Sequence, residues 1–193
     1  MTNSANSPQS DTTTSSAAAA PPPAADFTTA IAFGWRVHQS QEAWTAKVDV
    51  KASIVLALTG AVLVAIVAGN NKDGVLTTLT GWRDIVLMLS VVLIFIALTL
   101  AGAAVYPILG RVKDHKARHL DNTIYFGHLR HWDPLQLAAK LHVMSPAEEA
   151  KQLAVQMKVM SEGNWRKHRC LQGALVAAAA AAILLAIATL WPR

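Results

Sequence analysis

The residues with the clearest capacity for chemistry are four histidines between positions 115 and 131. His115 and His119 are one helical turn apart, and imidazoles at such spacing can converge on zinc. However, no cysteine lies near them, no His-Glu-x-x-His pattern occurs, and a predicted helix break separates them from His128 and His131. We therefore predict no metal site, and a zinc-dependent membrane enzyme remains an alternative.

Other catalytic patterns are missing as well. The sequence contains no nucleophile motif, no phosphate-binding glycine loop and no convincing carboxylate pair. It also places no charged residue inside its three long apolar runs, where a proton relay or an ion-coupled transporter would need one. We predict that the protein is not an enzyme and needs no cofactor.

The segment that holds the histidines also combines cationic and aromatic side chains. Cationic groups can hold a phosphate and aromatic rings can stack on a base. The candidates for binding a nucleotide in this way are Lys116, Arg118, Tyr125, Arg130 and Trp132. The alternative is that these juxtamembrane basic residues face lipid headgroups.

Three apolar runs determine the predicted architecture. The chain of 193 residues is 53% hydrophobic and 15% charged, and the apolar residues concentrate at 52–69, 85–109 and 171–191. The first run forms about 27 Å of helix, close to the thickness of a hydrocarbon core. We predict an all-α multi-pass membrane protein with three transmembrane helices and a helical cytoplasmic domain between the second and the third.

The predicted segments follow from these runs. Residues 1–25 are rich in Ser, Thr, Ala and Pro and lack Lys and Arg, which is typical of a disordered tail, and we expect no secretory signal in them. The remaining predicted units are an amphipathic juxtamembrane helix at 26–51, a transmembrane hairpin at 52–109, a cytoplasmic helical domain at 110–170 and a third transmembrane helix at 171–193.

The basic residues predict the orientation. Arg36, Lys47 and Lys51 precede the first run, and eleven more Lys or Arg residues lie at 111–169, whereas the opposite side has Lys72, Arg83 and Arg193. By the positive-inside rule, we expect the amino terminus and residues 110–170 to be cytoplasmic. The net charge of +5 then reflects an anionic membrane surface and not a nucleic-acid partner.

Small residues recur every fourth position in the apolar runs. Ala61, Ala65 and Gly69 follow this spacing in the first run, and Ala97 with Ala101 in the second, while the third contains an alanine run at 177–182. Such spacing lets helices approach closely, either within the chain or between copies. We predict a homo-oligomer.

Three short motifs add a family resemblance. They are Lys-Val-Asp-Val-Lys-Ala-Ser at 47–53, Asn-Thr-Ile-Tyr-Phe-Gly-His at 122–128, and Gln-Met-Lys-Val-Met-Ser at 156–161, which Lys167 follows. In order and spacing they resemble the transmembrane effectors of Pycsar antiphage systems over about residues 36–190. The positions that match the family are Asp49, Lys51, Ala52, Tyr125, Phe126 and Gly127.

The resemblance implies a mechanism. A cyclase makes cyclic UMP or cyclic CMP on infection, the effector binds this cyclic nucleotide, and membrane disruption then causes abortive infection. The alternative is a structural or partner-binding membrane accessory protein without a nucleotide ligand, in which residues 150–164 dock a partner helix.

Overall fold

The computed structural model describes residues 27–71, 74–107, 109 and 111–191. These residues form six α-helices and two 3-10 turns, and no β-strand occurs within the ranges just given, so the predicted all-helical class is confirmed. The tail predicted at 1–25 lies outside the described residues. The α-helices are α1 Phe27–Gly69, α2 Trp82–Val105, α3 Val112–Ala117, α4 Phe126–Leu129, α5 Pro134–Val143 and α6 Pro146–Leu190. The 3-10 turns are Val75–Thr78 and His119–Asp121.

Three of these helices, α1, α2 and α6, are long and apolar enough to cross a membrane. Their most apolar 18-residue windows have mean hydropathies of 2.4, 2.9 and 2.4. The predicted number of candidate spans is therefore confirmed. The predicted end of the second span at residue 109 is wrong, because α2 ends at Val105. Pro107 restricts the preceding residue to extended conformations, and Tyr106 has a ψ of 124°.

Helices α1 and α6 are each too long for a bilayer alone. They contain 43 and 45 residues, which corresponds to about 65 and 68 Å of helix. A hydrocarbon core takes about 20 helical residues, so more than half of each helix extends outside it. The predicted juxtamembrane helix and first span form one unbroken helix, and α6 likewise continues into the third span. Ser145 is followed by Pro146 and Glu148, a sequence that predicts a helix start. Ser145 begins α6 accordingly, by accepting a hydrogen bond from Glu148 N at 3.3 Å.

The two long helices run parallel to each other. Near their starts, Trp35 Nε1 donates a hydrogen bond to Glu149 Oε1 at 3.2 Å. Farther along both helices, Lys167 Nζ lies 2.6 Å from Asp49 Oδ1. Residue numbers rise together along the contact, so both helices enter their apolar halves in the same direction.

The buried residues of α1 and α6 recur with the spacing of a coiled coil, about 3.5 positions. This spacing keeps the two contact faces opposed along the whole pair. In α1 the buried residues are Gly34, His38, Gln41, Val48, Ala52, Val55, Thr59 and Ile66. In α6 they are Gln152, Leu153, Asn164, Leu171, Ala174, Ala177, Ala181 and Ala188.

In the amino-terminal half of α1, helical spacing relates Phe27, Gly34, Gln41, Trp44 and Val48, but only part of this set is buried. Gly34, Gln41 and Val48 are buried, whereas Trp44 is 54% and Phe27 41% exposed. The helices approach through small and polar side chains, so the rings of Phe27 and Trp44 remain outside the contact.

Helix α2 packs antiparallel to α6. Ser90 Oγ donates to Ala181 O at 3.0 Å, and Arg83 Nε donates to Ala188 O at 2.8 Å, so rising numbers in one helix meet falling numbers in the other. Arg83 thereby satisfies a carbonyl at the carboxyl end of α6, where a cation also complements the helix dipole.

Small residues form the centre of the three-helix contact. Ala97 and Ala101 are completely buried, which confirms that this part of the predicted small-residue spacing serves close packing. Ala61 and Ala65 are exposed on the outer surface instead. The core at the start of the apolar halves consists of Val48, Ala52, Val55, Ala101, Ala104, Leu171 and Ala174.

Close contact at Gly34 makes a testable prediction about the helix pair. A Cβ at Gly34 would lie 2.5 Å from Leu153 Cδ2 in a fully enclosed position. We expect Gly34→Val to destabilise the fold by about 1–3 kcal/mol through overpacking. The measurement is thermal unfolding of the detergent-solubilised protein.

Gly60→Ala is the matched control, because a Cβ there meets no atom within 4 Å. Alanine is the better helix former, so this variant should be as stable as the wild type or more so. Equal unfolding temperatures for Gly34→Val and the wild type would contradict the close packing of α1 on α6.

Candidate ligand cavity

A cavity of about 730 Å³ lies where the polar half of α6 meets the connection that follows α2. One wall is α6, and the opposite wall is the chain between Pro107 and His128. Thr45 of α1 reaches the edge. The lining residues are Thr45, Pro107, Leu109, Asp114, His115, Arg118, Asn122, Tyr125, Phe126, His128, Val155, Gln156, Val159, Met160, Gly163, Asn164 and Lys167.

Local hydrogen bonds hold the connecting loop against α6. Asn122 Oδ1 accepts from Ile124 N and Tyr125 N, each at 2.9 Å, which forms the turn that starts α4. Thr123 donates from both its backbone nitrogen and its hydroxyl to Gln152 Oε1, each at 2.9 Å. The loop is therefore attached to α6 by side chains of its own motif.

Gly127 has a steric role in this loop. It is buried, and a Cβ at this position would overlap the Tyr125 ring. Glycine therefore lets the Tyr125 ring pack back over α4, beside the cavity.

Two histidines and a tyrosine form the inner wall of the cavity. The rings of His115 and His128 have centroids 4.9 Å apart, and Tyr125 lies 5.4 Å from His115. His115 Nε2 donates to Leu109 O at 2.5 Å. Nδ1 of His115 and Nδ1 of His128 are buried and have no hydrogen-bond partner within the part of the chain that the structure describes. Buried polar atoms normally have partners, so this wall has unused capacity for hydrogen bonding.

The environment favours the neutral form of His128. Partial burial lowers the pKa of His128 below its usual 6.5, and the neighbouring His115 lowers it further. Burial also lowers the pKa of His131, and the adjacent Arg130 adds to that effect. At neutral pH the cavity wall therefore presents uncharged imidazole at His128.

The charged side chains that line the cavity are few. Among the residues described, the basic side chains that line the cavity are Arg118 and Lys167, and the acidic one is Asp114. Arg118 is exposed, whereas the Lys167 side chain is 15% exposed and pairs with Asp49 of α1. An anion in the cavity would thus meet one open and one already paired cation.

A layer of polar side chains joins the cavity to the α1–α6 contact. Asn164 Nδ2 donates to Gln41 O at 3.1 Å, and Thr45 donates from its hydroxyl to Asn164 Oδ1. Both Thr45 and Asn164 line the cavity. A ligand that engages either side chain would therefore compete with hydrogen bonds between the long helices.

The structure places the predicted nucleotide-binding residues in two groups. Arg118 and Tyr125 line the cavity. The cavity lining does not include Lys116, Arg130 or Trp132. The Trp132 ring lies against the loop instead, where its Nε1 donates to Asn122 O at 3.3 Å. Arg130 Nε lies 3.3 Å from His131 Nε2.

The family-matching residues also separate by location. Phe126 lines the cavity beside Tyr125. Asp49 pairs with Lys167, Ala52 is completely buried in the helix core, and Lys51 is exposed. The motif at 47–53 is thus a helix-contact motif with one charged link to the cavity.

Sequence reasoning did not assign Gln156, Asn164 or Lys167 to the site. The available signal was the spacing of Met160, Asn164 and Lys167 by four and three residues along α6, because it brings these positions to one side of the helix. The zinc alternative gains no support, since no group of three or more His, Cys, Asp or Glu side chains arranged for a metal occurs among the described residues. The histidines pair crosswise instead, His115 with His128 and His119 with His131.

The lowered pKa of His128 predicts the pH dependence of stability. Because the folded pKa lies below the unfolded value of about 6.5, the unfolded chain binds more protons as the pH falls through 6.5. We therefore expect the unfolding temperature to fall between pH 7 and pH 5, by a few degrees at most, since about 1 kcal/mol corresponds to roughly 2–4 °C in a chain of this size.

His128→Asn should reduce this pH dependence, and His142→Asn, which changes an exposed histidine of α5, should leave it as in the wild type. Thermal unfolding across the pH series is the measurement. An identical pH profile for His128→Asn and the wild type would contradict the assigned environment of His128.

Comparison with known proteins confirms the family that the three short motifs resemble. The chain matches the PycTM family model, a Pycsar effector protein domain, over residues 33–192. No curated protein and no solved structure gives a significant match. The matched region covers the whole cavity, α2, α6 and all of α1 beyond residue 32, and the chain therefore belongs to the PycTM family of Pycsar effector proteins.

Proposed function

We propose that this protein is a non-enzymatic membrane effector that cyclic UMP or cyclic CMP activates by binding in the cavity. Membrane disruption and abortive infection then follow. The observation that carries the proposal is that the cavity is lined by residues of both long helices, Thr45 of α1 and Lys167 of α6 among them. Ligand binding at this position acts directly on the helices that are apolar enough to cross the membrane.

The chemistry of the lining fits a cyclic mononucleotide. The cavity has a volume of about 730 Å³, which is in the range of small-molecule sites. Arg118 and Lys167 supply cations for a phosphate, and Tyr125 supplies a ring for stacking on a base. Gln156 presents an amide, which can both donate to and accept from a pyrimidine edge. In this proposal Lys116, Arg130 and Trp132 make no ligand contact.

The proposed topology places the ligand site in the cytoplasm. The excess of basic residues in the segments around the polar halves of α1 and α6 supports this orientation through the positive-inside rule. The amino terminus and residues 110–170 are then cytoplasmic in the bacterial cell membrane, where a nucleotide made during infection reaches the cavity.

Activation requires that the ligand prefer one arrangement of the helices. A ligand with equal affinity for the resting and the active arrangement would shift no population, however tightly it bound. The proposed active arrangement is a homo-oligomer, for which the exposed Ala61 and Ala65 offer a surface of low side-chain bulk.

The accessory-protein alternative loses its main support. It relied on residues 150–164 being free to dock a partner helix, but Leu153 is 1% exposed against α1, and Asn164 is hydrogen-bonded to it. Leu153 and Asn164 of that segment are therefore engaged within the chain.

The proposal predicts a ligand-dependent rise in stability. Saturating cyclic UMP or cyclic CMP should raise the unfolding temperature of the detergent-solubilised protein, because ligand at 100 times its Kd stabilises the folded state by about 2.7 kcal/mol. Cyclic AMP serves as the purine comparison. No response to either pyrimidine nucleotide would contradict the proposed function.

Variants of two arginines test the location of the site. Arg118→Gln should weaken nucleotide binding by about tenfold, since hydrogen bonds to charged groups contribute about 1.5–3 kcal/mol. Arg130→Gln is the matched control, because Arg130 does not line the cavity, and its affinity should equal that of the wild type. Titration calorimetry measures both, and the reverse order of effects would place the site elsewhere.

A further inference from the structure

The ion pair between Lys167 and Asp49 links the cavity to the start of the apolar helix core. Lys167 Nζ lies 2.6 Å from Asp49 Oδ1, and the Lys167 side chain is 15% exposed. Lys167 lines the cavity, whereas Asp49 does not. The lysine is therefore shared between a carboxylate of α1 and the cavity interior.

This sharing sets up a competition. Besides Lys167, Arg118 is the other lysine or arginine on the described cavity wall, and Asp114 on the same wall opposes an anion. Arg118 is exposed, so solvent screens its charge, whereas the Lys167 side chain is 15% exposed. A bound anion therefore interacts most strongly with Lys167. The ammonium would then gain the ligand anion at the expense of Asp49.

We propose that Asp49 is a built-in competitor for the ligand anion, which takes Lys167 from it on binding. This inference rests on the proposed nucleotide site and specifies its regulation. Asp49 favours the unliganded arrangement by holding Lys167, and Lys167 is the residue through which the anion is sensed.

The position of the pair explains how its rupture affects the spans. Val48 and Ala52 flank Asp49 and are 2% and 0% exposed, and Leu171 follows Lys167 by one helical turn. These three residues belong to the core at the start of the apolar halves. Loss of the ion pair removes a charged contact between α1 and α6 immediately before that core.

The test compares two variants that each remove one carboxylate from an ion pair. Asp49→Asn frees Lys167, whereas Glu162→Gln breaks the Lys158–Glu162 pair, which lies on α6 with both side chains exposed. We expect Asp49→Asn to bind cyclic UMP or cyclic CMP roughly two- to five-fold more tightly than the wild type, in line with the usual strength of such pairs. Glu162→Gln should bind as the wild type does.

The uncharged nucleosides uridine and cytidine separate anion competition from a general loosening of the helices. The gain in Asp49→Asn should be absent for them, because they bring no anion to Lys167. An equal gain for nucleoside and nucleotide would overturn the inference.

Variants of Lys167 keep the test informative if Asp49→Asn folds poorly. Lys167→Met should lower nucleotide affinity by tenfold or more, Lys167→Arg should retain most of it, and Asp49→Asn should add nothing in the Lys167→Met background. Nucleotide affinity unchanged in Lys167→Met would overturn the inference.

Binding data distinguish a failure of the proposed function from a failure of the role of Asp49. If the wild type and Glu162→Gln both bind no pyrimidine nucleotide, the proposed function fails. If both bind and Asp49→Asn shows no gain, only the role of Asp49 fails.

Discussion

The parallel packing of α1 and α6 is the constraint on which the rest of the structure depends. Each helix is about twice as long as a bilayer requires, so the pair cannot be confined to lipid. Small residues such as Gly34 and Ala52 let the helices approach, and the 3.5-residue spacing of buried positions keeps them in contact from the polar halves into the apolar halves. The same pair therefore bears both the cavity and two of the three candidate spans.

The chemistry of this contact changes along its length. In the polar halves, Asn164, Gln41 and Thr45 bond across the pair, whereas beyond Leu171 the contact is almost entirely apolar. Polar contacts can be exchanged for contacts with a ligand at little net cost, because both partners find new hydrogen bonds. Apolar contacts have no such substitute. The cavity thus lies beside the part of the pair that is most easily rearranged.

The sequence predicted the helices better than the site. Three charge-free runs and the Ser145 cap were enough for the spans and the start of α6, because hydropathy and capping are local properties. The end of α2 was missed because Pro107 also restricts the residue before it, so that Tyr106 is extended and the helix ends at Val105. Arg118 and Tyr125 were predicted from residue type, but Lys167 was not assigned, since its pairing with Asp49 joins positions 118 residues apart in the chain. Trp132 carries suitable chemistry, yet it packs on the loop backbone, which residue type alone does not reveal.

Disulfide cross-linking of Gly34→Cys with Leu153→Cys, in a Cys170→Ser background and in native membranes, tests the parallel pair most directly. A Cβ at position 34 lies against the Leu153 side chain, and neither residue lines the cavity. We expect rapid formation of an intramolecular disulfide on mild oxidation, because a Cβ at position 34 would touch the Leu153 side chain. A chain that stays reduced, or that cross-links only between copies, would contradict the pairing of α1 with α6 on which the cavity depends.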